Sequence, residues 1–341
     1  MVPLTTNREP RLGAQAASTT PRRDRTLRLA RVALARYGLL VAFAAAVAAF
    51  SIARPDTFPT VDNFKTILAQ AAPPLILSAA LTVVLAMQDF DLSFGAMIGL
   101  ANGIVVILIV RHGVPWPLAI LACLAAAVLV GLLNGFLIAG LGGSSFIITL
   151  AVGTGLTGLE YAVTNQEQIF QGLPSGFVSL GQQASFLGLN NQVWVAAFIC
   201  ACAWVLLERT EPGRYIYAIG SNAEAARLAG LPTRGLRVFG FIVVAAAAAV
   251  VGVLLAALTS SYTPNIGPAY LLPGYAAVFL GAAAFRPGQF NIAGSVVGVV
   301  FLGVIQTGLT MLNLQTYVIN LVQSAILVTA VLLSRLGQRL T

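Results

Sequence analysis

The residues of this chain with the clearest capacity for chemistry are two carboxylates that lie close together. Asp89 and Asp91 belong to the segment Gln88–Gly95, which reads Gln-Asp-Phe-Asp-Leu-Ser-Phe-Gly and interrupts a long apolar region. Ionisable side chains at membrane depth are costly, and they usually face a cavity or a partner. The pair could therefore line a solute path at a broken helix, hold a proton or sodium ion, or lie hydrated in a surface turn. Ser93 is suited to cap the helix that follows.

Residues for metal binding or nucleophilic catalysis are sparse. His112 is the single histidine and lies beside Arg111 in a short polar connection, so we interpret it as a solvated loop residue. A zinc site or a Ser-His-Asp triad would need partners that the sequence does not supply. The chain also lacks the GxxxxGK[ST] motif of P-loop ATPases. We therefore expect no catalytic residue, metal or cofactor here. Three cysteines within apolar stretches, without a CxxC pair, are predicted to be small packing residues: Cys123, Cys200 and Cys202.

The elements that must position these residues are membrane helices. Hydrophobic residues make up 58% of the chain and charged residues 9%, against about 45–50% and 25% in soluble domains. Uncharged runs such as 238–258 are long enough to cross a bilayer, where the backbone must be satisfied within a helix. The prediction is an all-α, polytopic transmembrane helix bundle, in which spans 92–110 and 271–284 are candidates for broken helices. Ten spans are expected: 37–53, 66–87, 92–110, 116–140, 145–165, 192–208, 238–260, 271–284, 292–311 and 316–334.

The distribution of positive charge predicts an orientation. With both termini in the cytoplasm, all but three of the 19 lysines and arginines lie on the inner side; the exceptions are Arg54, Lys65 and Arg111. Because anionic headgroups attract such arginines, the basic excess indicates a membrane surface rather than nucleic acid. We expect a multi-pass protein of the bacterial cytoplasmic membrane. Residues 1–35 would be a disordered basic cytoplasmic tail, and residues 36–335 a single transmembrane domain with a cytoplasmic loop over 208–237.

This central loop, Glu208–Arg237, contains a predicted short helix. Pro212 and Gly213 are expected to form a turn, Ser221 or Asn222 to cap a helix, and residues 223–229 to form it before a glycine and a proline end it. An isolated helix of seven or eight residues is unstable in water, so it must dock on something. It could be an amphipathic connector on the membrane, or a coupling helix that docks on a cytoplasmic motor protein.

A resemblance bears on this choice. The string Gly213-Arg-Tyr-Ile-Tyr-Ala-Ile-Gly-Ser-Asn-Ala-Glu-Ala-Ala-Arg-Leu-Ala-Gly230 resembles the cytoplasmic loop of the ribose/xylose-type ABC permease family, which serves monosaccharides. The resemblance implies an importer permease that works with a cytoplasmic ABC ATPase holding Mg-ATP, a periplasmic or tethered solute-binding protein, and a second permease copy or homologue. It assigns ATPase coupling to Gly213, Arg214, Asn222, Glu224, Ala225, Ala226 and Arg227.

The carboxylate segment resembles a second motif of that family, Gly-Gly-x-Asp-Leu-Ser-x-Gly. Asp91, Leu92, Ser93 and Gly95 match it, whereas a glutamine and an aspartate replace the two glycines. A sugar site should combine amides and carboxylates with aromatic faces, for which Tyr161 is a further option. The predicted solute path comprises Gln88, Asp89, Asp91, Ser93, Asn102, Asn134, Phe146 and Glu160.

Other functions remain open at this stage. A secondary transporter driven by an ion gradient would use Asp89 and Asp91 as its ion site and would need no ATPase. An ABC permease for branched-chain amino acids would share the architecture and differ in solute. A membrane enzyme or channel scaffold is disfavoured, because the spans contain no catalytic histidine, lysine or metal cluster.

Overall fold

The computed structural model of the chain describes residues 22–282, 285 and 288–338, and its regular elements there are helices. The α-helices, in chain order, are α1 (Arg22–Ala53), α2 (Val61–Leu85), α3 (Phe94–Val110), α4 (Trp116–Gly135), α5 (Ser145–Thr164), α6 (Ser175–Gln182), α7 (Asn191–Arg209), α8 (Glu211–Ser221), α9 (Ala223–Leu228), α10 (Thr233–Thr259), α11 (Leu271–Ala282), α12 (Ile292–Met311) and α13 (Thr316–Gln338). A π-helical turn, Phe136–Gly140, extends α4.

Within the described residues, six helices are long and apolar enough to cross a membrane by length and composition: α2, α4 with its π-helical turn, α5, α7, α10 and α12. Shorter apolar segments, 38–53, 94–110 and 316–326, lie in α1, α3 and α13. Each of the ten predicted spans corresponds to a helix, and the predicted class of polytopic helical membrane protein is confirmed.

Two helices form the centre of the bundle. In the most apolar 18-residue stretch of each helix, the buried share is 72% for α10 and 78% for α2. The corresponding share is 22% for α4 and for α5. The alanine run of α10 brings α3 and α4 close, because small side chains let helix backbones approach. A central α2 and α10 therefore connect both ends of the bundle through its core.

The two ends of the bundle carry different elements. The α9 end comprises residues 86–93, 210–232 and 288–291: Tyr217 of α8 donates a hydrogen bond to the carbonyl of Phe290 (3.0 Å), and Gly220 abuts the carbonyl of Ala86. The α6 end comprises the loops 54–60, 260–264 and 312–315, whereas residues 265–270 return into the bundle, where Gly267 abuts the carbonyl of Gly95. At the α6 end, Gln182 of α6 donates to the carbonyl of Leu258 (2.8 Å).

Two local expectations differ from the structure. Helix α1 begins at Arg22, so residues 22–35 are helical rather than part of a disordered tail; residues 1–21 of that tail lie outside the described residues. The run is rich in Arg, Leu and Ala, which favour helix. Pro212 and Gly213 are in the first turn of α8 rather than in a turn between elements. A proline is accepted there, because the first N–H groups of a helix need no intrahelical acceptor.

Candidate functional site

Residues 86–93 form a non-helical break between α2 and α3, and its backbone is satisfied by side chains of other helices. The amide of Phe90 donates to Ser145 Oγ (3.1 Å), and the amide of Leu92 donates to Thr149 Oγ1 (2.9 Å). The Tyr275 hydroxyl accepts from the Asp91 amide (3.0 Å) and donates to the Asp91 carbonyl (2.6 Å). Irregular backbone at membrane depth is tolerated only where protein or water satisfies it. Side chains of α5 and α11 therefore stabilise the non-helical conformation of the break.

The carboxylate of Asp91 begins a buried chain of hydrogen bonds within the break. Its Oδ1 accepts from the Ser93 hydroxyl (2.6 Å) and the Ser93 amide (2.8 Å), and Asn134 Nδ2 donates to Ser93 Oγ (2.8 Å). All three residues are essentially buried, and Asp91 Oδ2 has no partner among the described residues. Ser93 is at the N-terminal boundary of α3, but its side chain binds Asp91 and does not cap the helix. The expected cap is wrong: Ser93 already has helical dihedral angles (φ −76°, ψ −18°), and its Oγ accepts from Asn134 instead of from a backbone amide of α3.

Asp89 forms a two-pronged ion pair with Arg237, the fifth residue of α10. Arg237 Nε lies 2.6 Å from Asp89 Oδ2, and Nη2 lies 2.6 Å from Oδ1. The Asp89 side chain is 5% exposed and that of Arg237 is 28% exposed. A planar guanidinium that meets a carboxylate with two parallel hydrogen bonds fixes orientation as well as charge. The pair thus joins the break to the helix that follows α9.

Gln88, immediately before Asp89, has φ +65°, a left-handed backbone conformation that glycine adopts readily. In the resembled motif a glycine stands here. The turn geometry is therefore kept with a non-glycine residue, and the exposed Gln88 side chain points to no partner within the described residues.

The predicted short helix of the central loop exists as α9, Ala223–Leu228. Asn222 caps it, because its Oδ1 accepts from the Ala225 amide (2.9 Å). Ala226 is 6% exposed and packs in a cluster with Val83 of α2 and Ile216 of α8. The helix thus docks on the bundle through one small side chain, as its short length requires.

The outer face of α9 is charged. The guanidinium of Arg227 binds the carboxylate of Glu224 through Nε (3.1 Å) and Nη2 (2.6 Å), and both side chains are about two-thirds exposed. These hydrogen bonds hold the pKa of Glu224 below its usual value. Gly213 is buried at the start of α8 and Arg214 is exposed beside it. The α9 end therefore presents a small, ordered, charged surface.

The remaining predicted solute-path residues are dispersed. Glu160 is 1% exposed and accepts from the Tyr262 hydroxyl (3.0 Å) and the Asn265 amide (2.8 Å), so it neither faces a vestibule nor reaches water. Asn102 is fully buried between α3 and α10, where it donates to the carbonyl of Gly252 (3.1 Å). Phe146 is 51% exposed at the start of α5, and Tyr161 is half-buried. The structure brings Gln88, Asp89, Asp91, Ser93 and Asn134 together at the break and separates Asn102 and Glu160 from it.

Sequence reasoning missed a cavity between α2, α11, α12 and α13. It consists of two adjoining hollows of about 1030 Å³ and 400 Å³. Seven residues line both: Gln70, Pro74, Ala269, Pro273, Gln306, Asn320 and Gln323. The available signals were the Pro73–Pro74 pair within a span, and Asn320 and Gln323 three residues apart within another, which puts both on one helix face.

Comparison with known proteins identifies relatives over nearly the whole chain. Residues 63–331 match the family model described as the branched-chain amino acid transport system permease component. The ribose import permease protein RbsC of Escherichia coli K12 is 30% identical over 304 residues, 88% of this chain and 93% of that protein. The L-arabinose transport system permease protein AraH of the same strain is 31% identical over 305 residues, 89% and 92% of the two chains. RbsC of Bacillus subtilis is 31% identical over 274 residues, 80% and 84%. No solved structure matches the chain.

Proposed function

We propose, from the premise that this chain belongs to the family of branched-chain amino acid transport system permease components, that the solute it carries is a monosaccharide. The chain is the membrane-spanning permease component of an ABC importer and is not itself the ATPase. The observation that carries the choice of solute is the identity of about 30% with permeases named for ribose and L-arabinose, along about nine-tenths of both chains.

Helix α9 is the proposed contact with the ATPase subunit. It exposes Glu224 and Arg227 at the end of the bundle, while Ala226 on its other face is anchored in the core. A groove on a partner could therefore hold the charged face without displacing the anchor. We assign this contact to α9 with its cap and to the start of α8: Gly213, Arg214, Asn222, Glu224, Ala225, Ala226 and Arg227.

A displacement of α9 could be transmitted to the break through a small number of contacts. Helix α10 begins five residues after α9 ends, and its Arg237 is paired with Asp89. Gly220, just before α9, abuts the carbonyl of Ala86 at the start of the break. We therefore propose that closure of two ATPase domains moves α9, α10 and residues 86–93 together, as rigid elements coupled by discrete contacts.

The orientation proposed for the chain puts the α9 end in the cytoplasm of a bacterial cell. Arg209, Arg214, Arg227, Arg234 and Arg237 lie at this end, whereas Arg54 and Lys65 lie at the α6 end. The stacking of Arg209 on Trp204, 5.1 Å from the ring centroid, fits an interfacial anchor. The α6 end would then receive the solute-binding protein.

A second permease subunit completes the proposed assembly. Two ATPase domains that close on each other each need one coupling helix, and the described part of this chain supplies one α9. We propose a dimer of this chain or a pair with a homologue, the transmembrane segments of each forming one domain from residue 36 to 335.

An ion-gradient transporter is the rival candidate, and one observation weighs against it. Both carboxylate oxygens of Asp89 are already engaged by Arg237, so the two carboxylates of the break do not form an open ion site. A guanidinium stays protonated at physiological pH, which keeps Asp89 paired.

Reconstitution tests the proposal. The purified chain, its ATPase and its solute-binding protein are placed in vesicles, and uptake of D-ribose and L-arabinose is measured with and without ATP while ionophores collapse all ion gradients. We expect ATP-dependent uptake of at least one sugar. Uptake by the permease alone, driven by a proton or sodium gradient, would overturn the proposal. A membrane-impermeant thiol reagent checks the orientation. Added outside the cell, it should label Thr57→Cys directly, and it should label Ala229→Cys only after the membrane is permeabilised.

A further inference from the structure

We propose that the cavity between α2, α11, α12 and α13 is a solute-binding site open to the α6 end, and that it selects an uncharged polyhydroxylated molecule. The inference rests on the proposed function and names where the solute is held. It does not involve the break or α9, because the cavity lies at the opposite end of α2: Asp56 and Thr60 line it, whereas Asp89 does not.

Carboxamides from three helices converge where the two hollows meet. Gln70 of α2, Gln306 of α12 and Gln323 of α13 line both hollows, and Gln323 Nε2 lies 3.5 Å from Gln306 Oε1. Asn320 joins them from one turn earlier in α13. Amides in membrane helices are costly unless they are paired or face water, so their convergence on one cavity indicates a binding function.

Two further polar atoms on the cavity wall are buried and unpartnered. Thr307 is 8% exposed and Asn63 is 6% exposed, and both line the larger hollow. Thr307 Oγ1 and Asn63 Oδ1 form no hydrogen bond with a described residue. The cavity wall therefore holds two polar groups whose hydrogen-bonding capacity the described residues do not use.

The prolines of α2 leave a backbone carbonyl without its intrahelical donor beside the cavity. Pro73 and Pro74 have no N–H to give to the carbonyls of Ala69 and Gln70, four residues earlier. Gln192 Nε2 supplies a donor to the Ala69 carbonyl (3.2 Å). The Gln70 carbonyl keeps its acceptor capacity next to the cavity that Gln70 lines.

The charge of the wall selects against anionic and zwitterionic solutes. Among the described lining residues there is no lysine, arginine or histidine, and the charged ones are Asp56 and Asp62 of the larger hollow. A carboxylate or phosphate would find no cation there, and Asp56 and Asp62 would repel it. Carboxamides and hydroxyls both donate and accept, as sugar hydroxyls do. An amino acid is thus a poorer fit than a monosaccharide.

The shape of the cavity would stop a solute part-way across the membrane. The smaller hollow, about 400 Å³, falls within the range of about 300–1,000 Å³ typical of small-molecule sites, and the larger, about 1030 Å³, lies at its upper limit. The smaller hollow continues toward the α9 end between Ala276 of α11 and Val299 and Leu302 of α12, where the wall becomes apolar. The amides therefore lie at the neck between a polar entrance and an apolar floor.

The test uses the complete importer in vesicles, with D-ribose and L-arabinose as probes and L-leucine as the contrasting solute. Gln306→Ala and Gln323→Ala should each lower sugar uptake by about twofold to tenfold, the loss expected for one hydrogen bond. ATP hydrolysis stimulated by the loaded binding protein should stay near the unsubstituted level, because α9 is untouched. Gln315→Ala is the matched control, since Gln315 is an exposed amide directly before α13 that does not line the cavity.

The outcomes separate the two proposals. If the unsubstituted importer carries L-leucine and neither sugar, the proposed function fails. If it carries a sugar and the Gln306 and Gln323 variants match Gln315→Ala, the cavity is not the site. A measurement of binding distinguishes loss of the site from misfolding of a variant. Gln306→Cys should react with an impermeant thiol reagent faster than the unsubstituted chain does. The transported sugar should slow this reaction. A reaction rate indifferent to the sugar would also overturn the inference.

Discussion

Arg237 and Asp89 are 148 residues apart in the chain, yet they form a parallel pair of hydrogen bonds, each 2.6 Å long. One partner lies in the break between α2 and α3, and the other lies one turn into α10, just after α9. The pair therefore connects the segment proposed to face the ATPase with the segment at which a membrane helix is interrupted.

We expect Arg237→Ala to lower the free energy of unfolding by about 3 kcal/mol, because it leaves Asp89 buried without its counter-ion. The double variant Asp89→Ala with Arg237→Ala should recover part of this loss, since no charge then remains buried. Thermal or denaturant unfolding of the purified protein measures both. If the loss of stability in the double variant equals the sum of the losses in Asp89→Ala and Arg237→Ala measured separately, the two residues do not act as a pair.

Arg227→Glu, or deletion of residues 222–230, should abolish ATP-driven uptake while the protein still inserts in the membrane at normal levels. The substitution repels Glu224 and reverses the charge of the exposed face of α9. Uptake in vesicles and the amount of protein in the membrane fraction are the measurements. Arg234→Glu is the control, because it makes the same charge change at an exposed position outside α9. Normal transport by the deletion variant would remove α9 from the coupling role.

Asn222→Ala should weaken α9 by about 1 kcal/mol, because the Ala225 amide loses the acceptor that caps the helix. Asn222→Asp should retain the cap, since a carboxylate accepts the same hydrogen bond. Hydrogen exchange of the amides at 225–228 measures the opening of the helix. Faster exchange in the alanine variant alone is the expected result, and unchanged exchange would mean that docking of Ala226 holds α9 without its cap.

Gln88→Gly should raise the free energy of unfolding by about 0.5–1 kcal/mol, because a left-handed residue with a Cβ is strained and glycine is not. Gln183→Gly is the control: Gln183 has φ −72°, so glycine there only adds freedom to the unfolded chain and should destabilise. Unfolding of both variants, under the same conditions, distinguishes relief of backbone strain from a general effect of glycine.

Much of the architecture follows from local sequence. Apolar runs of membrane length, charges at their ends and the polar interruption at residues 88–93 predicted the helices and the break. The Asn222 cap and the alanines after it predicted α9 to within one residue at its C-terminal end. The sequence also showed that Gln88 and Asp89 replace the two glycines of the resembled motif. It did not show the consequence: Gln88 keeps the left-handed backbone conformation, and Asp89 pairs with Arg237 of α10.

Which side of each helix faces lipid, and which faces the protein interior, could not be predicted in the same way. In a soluble helix the polar face identifies the solvent side, but lipid and protein core are equally apolar, so this contrast vanishes in a membrane. Asn102 and Glu160 were expected on the solute path, and they are instead buried against α10 and residues 262–265. Gln70 and Gln306 were not singled out, because nothing in their neighbourhoods shows that they converge.

The sequence by itself thus determined what kind of molecule this is: a basic, helical membrane protein with a broken third span and a short capped helix in its central loop. Those properties depend on composition and on neighbours within a few residues. Only the tertiary structure decided which residues meet, because the partner of Asp89 and the amides of the cavity come from helices far apart in the chain. Their encounter depends on how the helices pack against one another, which no local pattern encodes.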